Sequence, residues 1–466
     1  MPKPRTSNSA RRARAKTSPG SSAPTERPKN PTRSGAELVR DWFAARGWTP
    51  HEFQLRAWEA FARGASGLIR VATGAGKTYA AYGGPLADLL DERARVGQGG
   101  LGLRVLYITP LRAVARDIEL ALRAPLADLG ALSRSSRDRG LRVEGRTGDT
   151  GSSLRARQRE RLPEVLVTTP ESLSLMLTWP DARERLGGVR SVIVDEWHEL
   201  LGSKRGTQTE LALARLRRFN PALCVWGLSA TLENLHDAAR ALTGANGTEP
   251  EIISASVDRP VFIDSVLPSG DARLPWAGHL GLAMLPAVLE AIDPGVSTLI
   301  FTNTRSQAER WHAAILAARP AWEPILGLHH GSVDRAMRER VEAGLKDGSV
   351  RLCVATSSLD LGVDFAPVER VIQIGSVKGI ARTVQRAGRS GHRPGAACRV
   401  LCVPTHGLEL LEIAAVRRAM ASGESEPREA LRKPLDVLAQ HMVTCAIGGG
   451  YDPGDLFEEV RSAYSY

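Results

Sequence analysis

Cysteine is scarce in this chain of 466 residues, and its arrangement excludes several kinds of protein. The five cysteines are Cys224, Cys353, Cys398, Cys402 and Cys445. They form no Cys-x-x-Cys pair, so neither a zinc ribbon nor a redox dithiol is predicted. Cys398 and Cys402 stand in a strand-like segment, where buried apolar cysteines are common. No disulfide framework is implied, which fits a reducing, intracellular compartment.

Long apolar runs are also missing. No segment approaches the roughly 18 apolar residues that a membrane span needs. The N-terminus lacks the apolar segment of a secretory signal. We therefore expect a cytoplasmic protein without a membrane partner.

Residues 1–34 have almost no apolar side chains and consist mainly of Pro, Ser, Thr, Arg and Lys. Such a segment cannot offset the entropy lost on folding, so a disordered basic tail is predicted. It carries nine basic residues and one acidic residue, and thus most of the net charge of +11. The basic balance that first suggests an anionic partner is therefore mainly a property of the tail.

Short β-branched runs alternate with amphipathic helical stretches over most of the remaining chain. The nine runs are GLIRVAT, RVLYITP, EVLVTTP, SVIVDE, VWGLSAT, STLIFTNT, RLCVATSS, RVIQIGS and CRVLCVPT. This alternation predicts an α/β fold of parallel sheets flanked by helices. Two such blocks, 35–258 and 259–432, are followed by a helical block at 433–466.

A glycine-rich turn, VATGAGKT (71–78), lies between an apolar strand and a helical stretch. Gly74 and Gly76 allow successive N–H groups to surround phosphate oxygens. Lys77 would bind the β- and γ-phosphates, and Thr78 would bind Mg²⁺. The turn predicts an ATP site whose members are Thr73, Gly74, Ala75, Gly76, Lys77 and Thr78. The alternative is a plain glycine-rich turn before a helix.

Two adjacent carboxylates end the strand SVIV in the segment DEWHE (195–199). Open α/β sheets bind ligands at the carboxyl edge of their strands. Asp195 is therefore predicted to hold Mg²⁺, and Glu196 to orient and deprotonate the attacking water. The alternative is a solvated acidic turn.

These two segments and seven others, in this order along the chain, resemble the motifs of superfamily 2 DExH-box helicases. The others are Phe53-Gln54, PLRAV (110–114), TTPES (168–172), SAT (229–231), FTNTR (301–305), ATSSLDLGVD (355–364) and QRAGRSGHR (385–393). The resemblance covers residues 36–466 and implies two tandem RecA-like domains, followed by the start of a winged-helix domain.

Longer strings resemble the large helicase-related (Lhr) family, and within it the branch associated with bacterial DNA ligases. They are DEWHELLGSKRGTQTELALARLR (195–217), PWAGHLG (275–281), LHHGS (328–332) and KPLDVLAQH (433–441). The winged helix of that family continues further, so the chain is expected to be C-terminally truncated, as in a fragmentary gene model.

The resemblance also implies roles at the nucleotide. Arg389 would be an arginine finger, with Arg386 beside it, and both join Lys77 and Glu196 in the catalytic set. The further contacts implied are Gln54 to adenine, Val363 and Asp364 to the adenosine, and His392 where many relatives have a second arginine.

Other residues are implied to couple hydrolysis to movement or to bind the strand. His198, Ser229 and Thr231 would link the DEWHE segment to closure of the cleft. The nucleic-acid contacts implied are Arg112, Thr169, Thr304, Arg305 and Thr356. Because such contacts reach mainly phosphates, binding is expected to be independent of sequence.

The resemblance implies an ATP-dependent DNA helicase or translocase that moves 3′ to 5′ on single-stranded DNA in repair, with Mg²⁺ as cofactor. Single-stranded or forked DNA is the expected partner, RNA is not excluded, and a DNA ligase or nuclease of a repair locus is a further candidate. A nucleoid-associated protein is expected. The alternative is a nucleic-acid-binding ATP-dependent clamp, or an RNA-directed ATPase without processive unwinding.

Several aromatic and basic residues have a plainer interpretation. Trp42, Trp48 and Trp58 recur at apolar helical positions, which favours core packing over base stacking. Trp197 is also expected to pack. The Arg-rich segment 133–146 is expected to be a solvated loop.

Deleting residues 1–34 tests the role of the basic tail. We expect DNA affinity to fall mainly at low salt, where counterion release contributes most. The maximal ATPase rate at saturating DNA should stay unchanged. A large fall in that rate would show that the tail takes part in the catalytic cycle.

Overall fold

The computed structural model describes residues 33–466 apart from short segments. The omitted residues are 73, 98–99, 134–139, 246, 256–259, 268–273, 275–280, 361–367, 391–396, 423 and 425. Residues 1–32 of the expected disordered tail thus lie outside the described part of the chain. Residues Ser34–Tyr466 form one unit by their internal contacts.

Among the described residues, a first parallel sheet has seven strands in the order β3-β4-β2-β5-β6-β1-β7. Its strands are β1 (Gly67–Val71), β2 (Val105–Ile108), β3 (Val143–Arg146), β4 (Val165–Thr168), β5 (Ser191–Val194), β6 (Cys224–Ser229) and β7 (Glu251–Ala255). Every residue of β2, β4, β5 and β6 is buried. Apolar side chains therefore pack on both faces, as continuous apolar strands predict.

Helices cover the two faces of the first sheet. They are α1 (Gly35–Ala45), α2 (Glu52–Ala62), α3 (Lys77–Val96), α4 (Arg112–Asp128), α5 (Ser152–Glu160), α6 (Pro170–Leu177), α7 (Ala182–Leu186), α8 (Trp197–Leu200), α9 (Lys204–Phe219) and α10 (Leu235–Thr243). The helix α1 begins with a capping box, in which Ser34 and Glu37 satisfy each other's backbone N–H groups.

In the part of the chain that is described, a second parallel sheet has six strands in the order β10-β11-β9-β12-β13-β8. They are β8 (Val261–Ser265), β9 (Thr298–Phe301), β10 (Leu326–His329), β11 (Leu352–Ala355), β12 (Arg370–Ile374) and β13 (Cys398–Val403). Its helices are α11 (Leu285–Ala291), α12 (Arg305–Ala318), α13 (Arg335–Asp347), α14 (Ile380–Ala387) and α15 (Gly407–Ser422). Short 3₁₀ turns are Leu282–Met284, Pro320–Ile325 and Ser357–Leu359.

The C-terminal block contributes α16 (Leu435–Ile447) and α17 (Pro453–Arg461), which pack against α9 of the first domain. Their buried apolar side chains form one cluster with Leu211 and Ala214. Beside this cluster, the buried Glu459 accepts a bond from Arg215 Nη1 at 2.9 Å. His441 and Cys445 lie near the same carboxylate at a spacing that a metal ion could use. The Arg215 and His441 contacts already satisfy Glu459 without a metal.

All nine strand-like runs form strands, and the predicted α/β fold with parallel sheets is confirmed. The structure corrects two smaller expectations. Val143–Arg146 is the edge strand β3 rather than loop, and three of its four residues are only partly buried, since charged side chains are tolerated in edge strands. Trp48 is 43% exposed although Trp42 is buried, since Trp48 lies beyond the end of α1 and contacts Trp42 edge to face.

Two further expectations are confirmed. Trp197 is fully buried, and its indole N–H donates to the Ala238 carbonyl at 2.8 Å, so it packs. The five cysteines are free and buried. No helix within the described ranges has the length and apolar character needed to cross a bilayer.

Candidate nucleotide site between the two sheets

The glycine-rich turn joins β1 to α3 in the first sheet. Gly74 and Gly76 have φ of 78° and 86°, a left-handed backbone that favours glycine. Gly76 caps α3, and Lys77 is the first residue of that helix. A helix N-terminus that follows such a turn presents N–H groups to an anion. Ala75 and Thr78 stand on the same turn, while Thr73 lies outside the described residues.

Gln54 closes onto this turn. Its side-chain Nε2 donates to the Gly76 carbonyl at 3.0 Å, and its Oε1 accepts from His51 N at 2.9 Å. A β-carbon at Gly76 would lie 2.8 Å from Gln54 Nε2, so a larger residue there would displace the end of this side chain. Both ends of the amide are thus occupied within the protein. The contact of Gln54 with adenine stays a prediction.

The two carboxylates of the DEWHE segment follow β5 and lie opposite Lys77. Glu196 Oε1 is 3.7 Å from Lys77 Nζ, and Asp195 Oδ1 accepts from Glu196 N at 2.9 Å. Glu196 has φ of 44°, which is strained for a residue with a side chain. Such strain is typical of residues that a site holds in place.

Burial and neighbouring charges set the protonation of this pair. Burial, and then the charge of Glu196, raises the pKa of Asp195 above its ordinary value. Burial would also raise the pKa of Glu196, but Lys77, His198 and Arg389 together lower it below the usual range. The pKa values of the two carboxyl groups are therefore shifted in opposite directions, which favours an ionised Glu196 and a more readily protonated Asp195.

Two buried polar atoms of this site lack hydrogen-bond partners within the described protein. Among the described residues, neither Lys77 Nζ nor Glu196 Oε2 has a hydrogen-bond partner, although both atoms are buried. Buried charged groups are normally paired. A phosphate oxygen at Lys77 and a water at Glu196 would satisfy them. The hydroxyl of Thr78 and the carboxylate of Asp195 are oxygen donors of the kind that Mg²⁺ prefers.

Tyr107 on β2 belongs to this site but was not predicted from the sequence. Burial raises the pKa of its phenol well above the usual range, the Asp195 charge adds to this effect, and the Thr78 hydroxyl opposes it. The phenol thus adjoins both predicted Mg²⁺ ligands. The available signal was a polar aromatic inside the otherwise apolar run RVLYITP.

His198 connects the carboxylates to the end of β6. Its Nδ1 is 3.2 Å from Ser229 Oγ and 3.5 Å from Glu196 Oε2. Burial lowers the pKa of this imidazole, which favours the neutral form. Ser229 is fully buried, and the buried Thr231 Oγ1 has no partner among the residues described. The structure brings His198 and Ser229 together, and their coupling role stays a prediction.

The two arginines after β12 have different environments. Arg386 is 2% exposed, and its guanidinium bonds both carboxylate oxygens of Asp360, at 2.7 and 3.0 Å. It also bonds Gln373 and lies 4.6 Å from the centre of the Phe301 ring. These bonds hold Arg386 within the second domain, and its contact with nucleotide stays a prediction. A bidentate pair buried inside the second domain occupies its donors.

Arg389 lies after α14 in the second domain and is buried. It lies close enough to Glu196 to lower the pKa of that carboxyl across the cleft. Its Nη2 donates to the Asp360 carbonyl at 2.9 Å. Asp360 therefore holds both arginines, a role that the sequence alone did not suggest. Val363, Asp364 and His392 lie outside the described residues.

The predicted nucleic-acid residues stand at the carboxyl ends of strands in both sheets. Thr169 and Thr304 cap α6 and α12 with their hydroxyl oxygens. Thr356 follows β11, and Arg305 bonds Ser332. Arg112 is exposed and pairs with Asp149 at 3.4 Å. Thr169 is only 1% exposed, so a phosphate would reach its hydroxyl only if the surface rearranged. These contacts stay predictions.

Three family models match the chain in order. Residues 51–238 match the DEAD/DEAH box helicase, 282–394 the helicase conserved C-terminal domain, and 418–466 the winged helix domain of large helicase-related protein. These matches, together with the two parallel sheets, define a chain with the domains of the DEAD/DEAH box helicase class. Within that class, the chain belongs to the large helicase-related family.

Known proteins support this family with substantial identity. ATP-dependent helicase Lhr-Core of Methanocaldococcus jannaschii is 33% identical over 431 residues, which are 92% of this chain and 50% of that protein. Lhr helicase/uracil glycosylase of Escherichia coli is 33% identical over 91% of this chain and 31% of its own length. The chain thus spans about half the length, or less, of these curated relatives.

A solved structure shows the same fold. Mycobacterium smegmatis helicase Lhr bound to ssDNA and AMP-PNP has a TM-score of 0.77 and 34% identity, covering 92% of this chain and 55% of that one. A DUF1998 helicase, MrfA, bound to DNA has a TM-score of 0.71 at 19% identity and supports the fold alone.

The raised pKa of Asp195 predicts proton release when Mg²⁺ binds. The carboxyl holds its proton to higher pH than an ordinary Asp, and a cation requires the charged form. Binding of Mg²⁺ with ADP near neutral pH should therefore release up to about one proton, and the affinity should rise with pH. Calorimetry in buffers of different ionisation enthalpy measures this release. The Asp195→Asn variant should release fewer protons, and equal release by both proteins would contradict the assignment.

Proposed function

We propose that this chain is an ATP-dependent DNA helicase or translocase that moves 3′ to 5′ on single-stranded DNA. The observation that carries the proposal is the ion pair of Lys77 with Glu196 at 3.7 Å in the first domain, which lies near enough to the second domain for the charge of Arg389 to lower the pKa of Glu196. The relatives named above support it, since their names describe ATP-dependent helicases. The proposed domains are 35–258, 259–432 and a winged-helix block at 433–466.

ATP hydrolysis follows from the chain's own groups. Lys77 and the N–H groups of the turn would bind the phosphates, and Thr78 and Asp195 would hold Mg²⁺. Bound Mg²⁺ neutralises charge on the phosphate oxygens. Glu196, which is kept ionised by its neighbours, orients the attacking water and accepts its proton. Arg389 stabilises the charge that develops on the γ-phosphate when the two sheets are closed.

Closure links this chemistry to the strand. An arginine that acts only in the closed state is worth about 10³–10⁵ in rate, so hydrolysis depends on how the two domains meet. Single-stranded DNA that spans the carboxyl-edge residues Arg112, Thr304 and Thr356 would favour closure. We propose that repeated closure moves the strand, and that the protein works in DNA repair in association with the nucleoid. A DNA ligase or nuclease is the partner proposed there.

Replacing Glu196 with Gln tests the assigned chemistry. The amide keeps the size of the side chain but cannot accept the proton, so DNA-stimulated ATPase should fall by about a hundredfold or more. Nucleotide binding should persist. Glu184→Gln makes the same chemical change at an exposed position on α7 and serves as the control. Wild-type ATPase in Glu196→Gln with single-stranded DNA present would refute the assignment.

A forked substrate tests the unwinding part of the proposal. Residues 1–466 should separate a duplex that carries a 3′ single-stranded arm, and should fail on a 5′ arm. ATPase stimulation by DNA and RNA strands of equal sequence, measured in parallel, reports the preferred nucleic acid. Robust DNA-stimulated ATPase without strand separation would favour an ATP-dependent clamp. Stimulation by RNA alone would favour an RNA-directed ATPase.

A further inference from the structure

The segment between α15 and α16 contacts both sheet domains. We call residues 426–429 the strap. The chain leaves the second domain at the end of α15 and reaches the first domain before α16 begins. A simple linker between two domains needs few specific hydrogen bonds. The strap, in contrast, forms three hydrogen bonds between side chains and backbone at residues 426 and 428.

One end of the strap is bonded to α14, the helix that contains Arg386 and precedes Arg389. Glu426 Oε1 accepts from Ile380 N at 3.0 Å, and Ile380 is the first residue of α14. Gly379 has φ of 109°, and a β-carbon there would lie 2.7 Å from the carboxylate oxygens of Glu426. Glycine at this position therefore permits the contact. The helix α14 leads directly to Arg389.

The other end of the strap is held by the first domain. Arg428 N donates to Asn234 Oδ1 at 3.0 Å, and Asn234 Nδ2 donates to the Arg428 carbonyl at 2.8 Å. Asn234 comes three residues after Thr231, just before α10. A β-carbon at Gly202 would lie 2.8 Å from the Glu429 carbonyl oxygen. The strap thus also lies against the turn that follows the DEWHE segment.

Only a short stretch of chain separates the attachment to the second domain from the attachment to the first. Glu426 and Arg428 are two residues apart, so their Cα atoms are separated by at most about 7 Å. A strap bonded at both ends therefore cannot follow a wide opening of the cleft. At least one of its two attachments must break when the domains separate. The charge of Arg428 also reaches His198, which places the strap beside the residues predicted to sense hydrolysis.

We propose that Glu426 and Asn234 are positioning residues, and that the strap they hold stabilises the closed arrangement in which Arg389 faces Glu196. The inference rests on the proposed function, because it assigns the strap to the closure step of the same ATPase. Neither residue touches nucleotide. The strap continues into α16 and α17, which pack on α9, so its release would also reach the C-terminal block.

The test uses Asn234→Ala, Glu426→Ala and the double variant in the full chain. Each single change releases one end of the strap, so we expect the DNA-stimulated kcat to fall by about fivefold or more, in the range of ordinary coupling between sites. The KM for ATP should change less, because Lys77 and the turn are untouched. The double variant should be no slower than the slower single variant, since either change already releases the strap.

Two substitutions calibrate the test. Glu426→Gln keeps an oxygen that can accept from Ile380 N, so it should retain most of the wild-type kcat. Arg63→Ala removes a largely exposed ion pair with Glu251, which joins the end of α2 to β7 within the first domain. It should behave as wild type. Multiplied losses in the double variant, or wild-type rates in both single variants, would overturn the proposal.

Hydrogen exchange separates this proposal from the proposed function. In Asn234→Ala, the Ile380 amide should exchange about tenfold faster or more, although it lies in the other domain, because loss of one attachment weakens the second. This measurement needs no ATPase activity. An inactive wild type with the expected exchange would refute only the proposed function. Unchanged exchange at Ile380 would refute the strap whatever the ATPase rate.

Discussion

The burial of opposite charges at one edge of the first sheet is the constraint on which the rest of the structure depends. Lys77 follows β1, and Asp195 and Glu196 follow β5, with β6 between these strands. Because the three strands are parallel, their carboxyl ends meet at one edge. Charges taken out of water are costly unless they are paired. The site therefore requires Lys77 near Glu196 and leaves polar atoms that a nucleotide would satisfy.

The second sheet domain has a buried charge of its own, Asp360, which orients two arginines. Asp360 binds the side chain of Arg386 through its carboxylate and Arg389 through its backbone carbonyl. A bidentate pair fixes a guanidinium in both position and plane. Arg386 is thus bonded inside its own domain, while the charge of the neighbouring Arg389 lowers the pKa of Glu196 in the other domain. The electrostatic effect of Arg389 on Glu196 depends on the distance between the two domains. The strap, which is bonded to both domains, limits that distance.

The local parts of the fold and site could be predicted because they depend on residues near one another in the chain. Apolar runs predicted all nine strands that were proposed, and the turn at 71–78 predicted the helix that starts at Lys77. Four strands, β3, β7, β8 and β10, were not predicted because their residues are incompletely buried and their apolar pattern is therefore interrupted. Each stands at or next to the edge of its sheet, where the apolar pattern is weakest.

The sequence by itself determined the α/β class, the phosphate-binding turn, the paired carboxylates and the resemblance to large helicase-related proteins, since each is written in adjacent residues. Only the tertiary structure decided which partners those residues meet. Gln54 forms a hydrogen bond with Gly76, and Arg386 forms one with Asp360. Asn234 forms a hydrogen bond with Arg428, which is 194 residues away in the chain. Spacing along a chain specifies helices and strands. The pairing of buried polar groups depends on how those elements pack, because each must find a partner within hydrogen-bond reach.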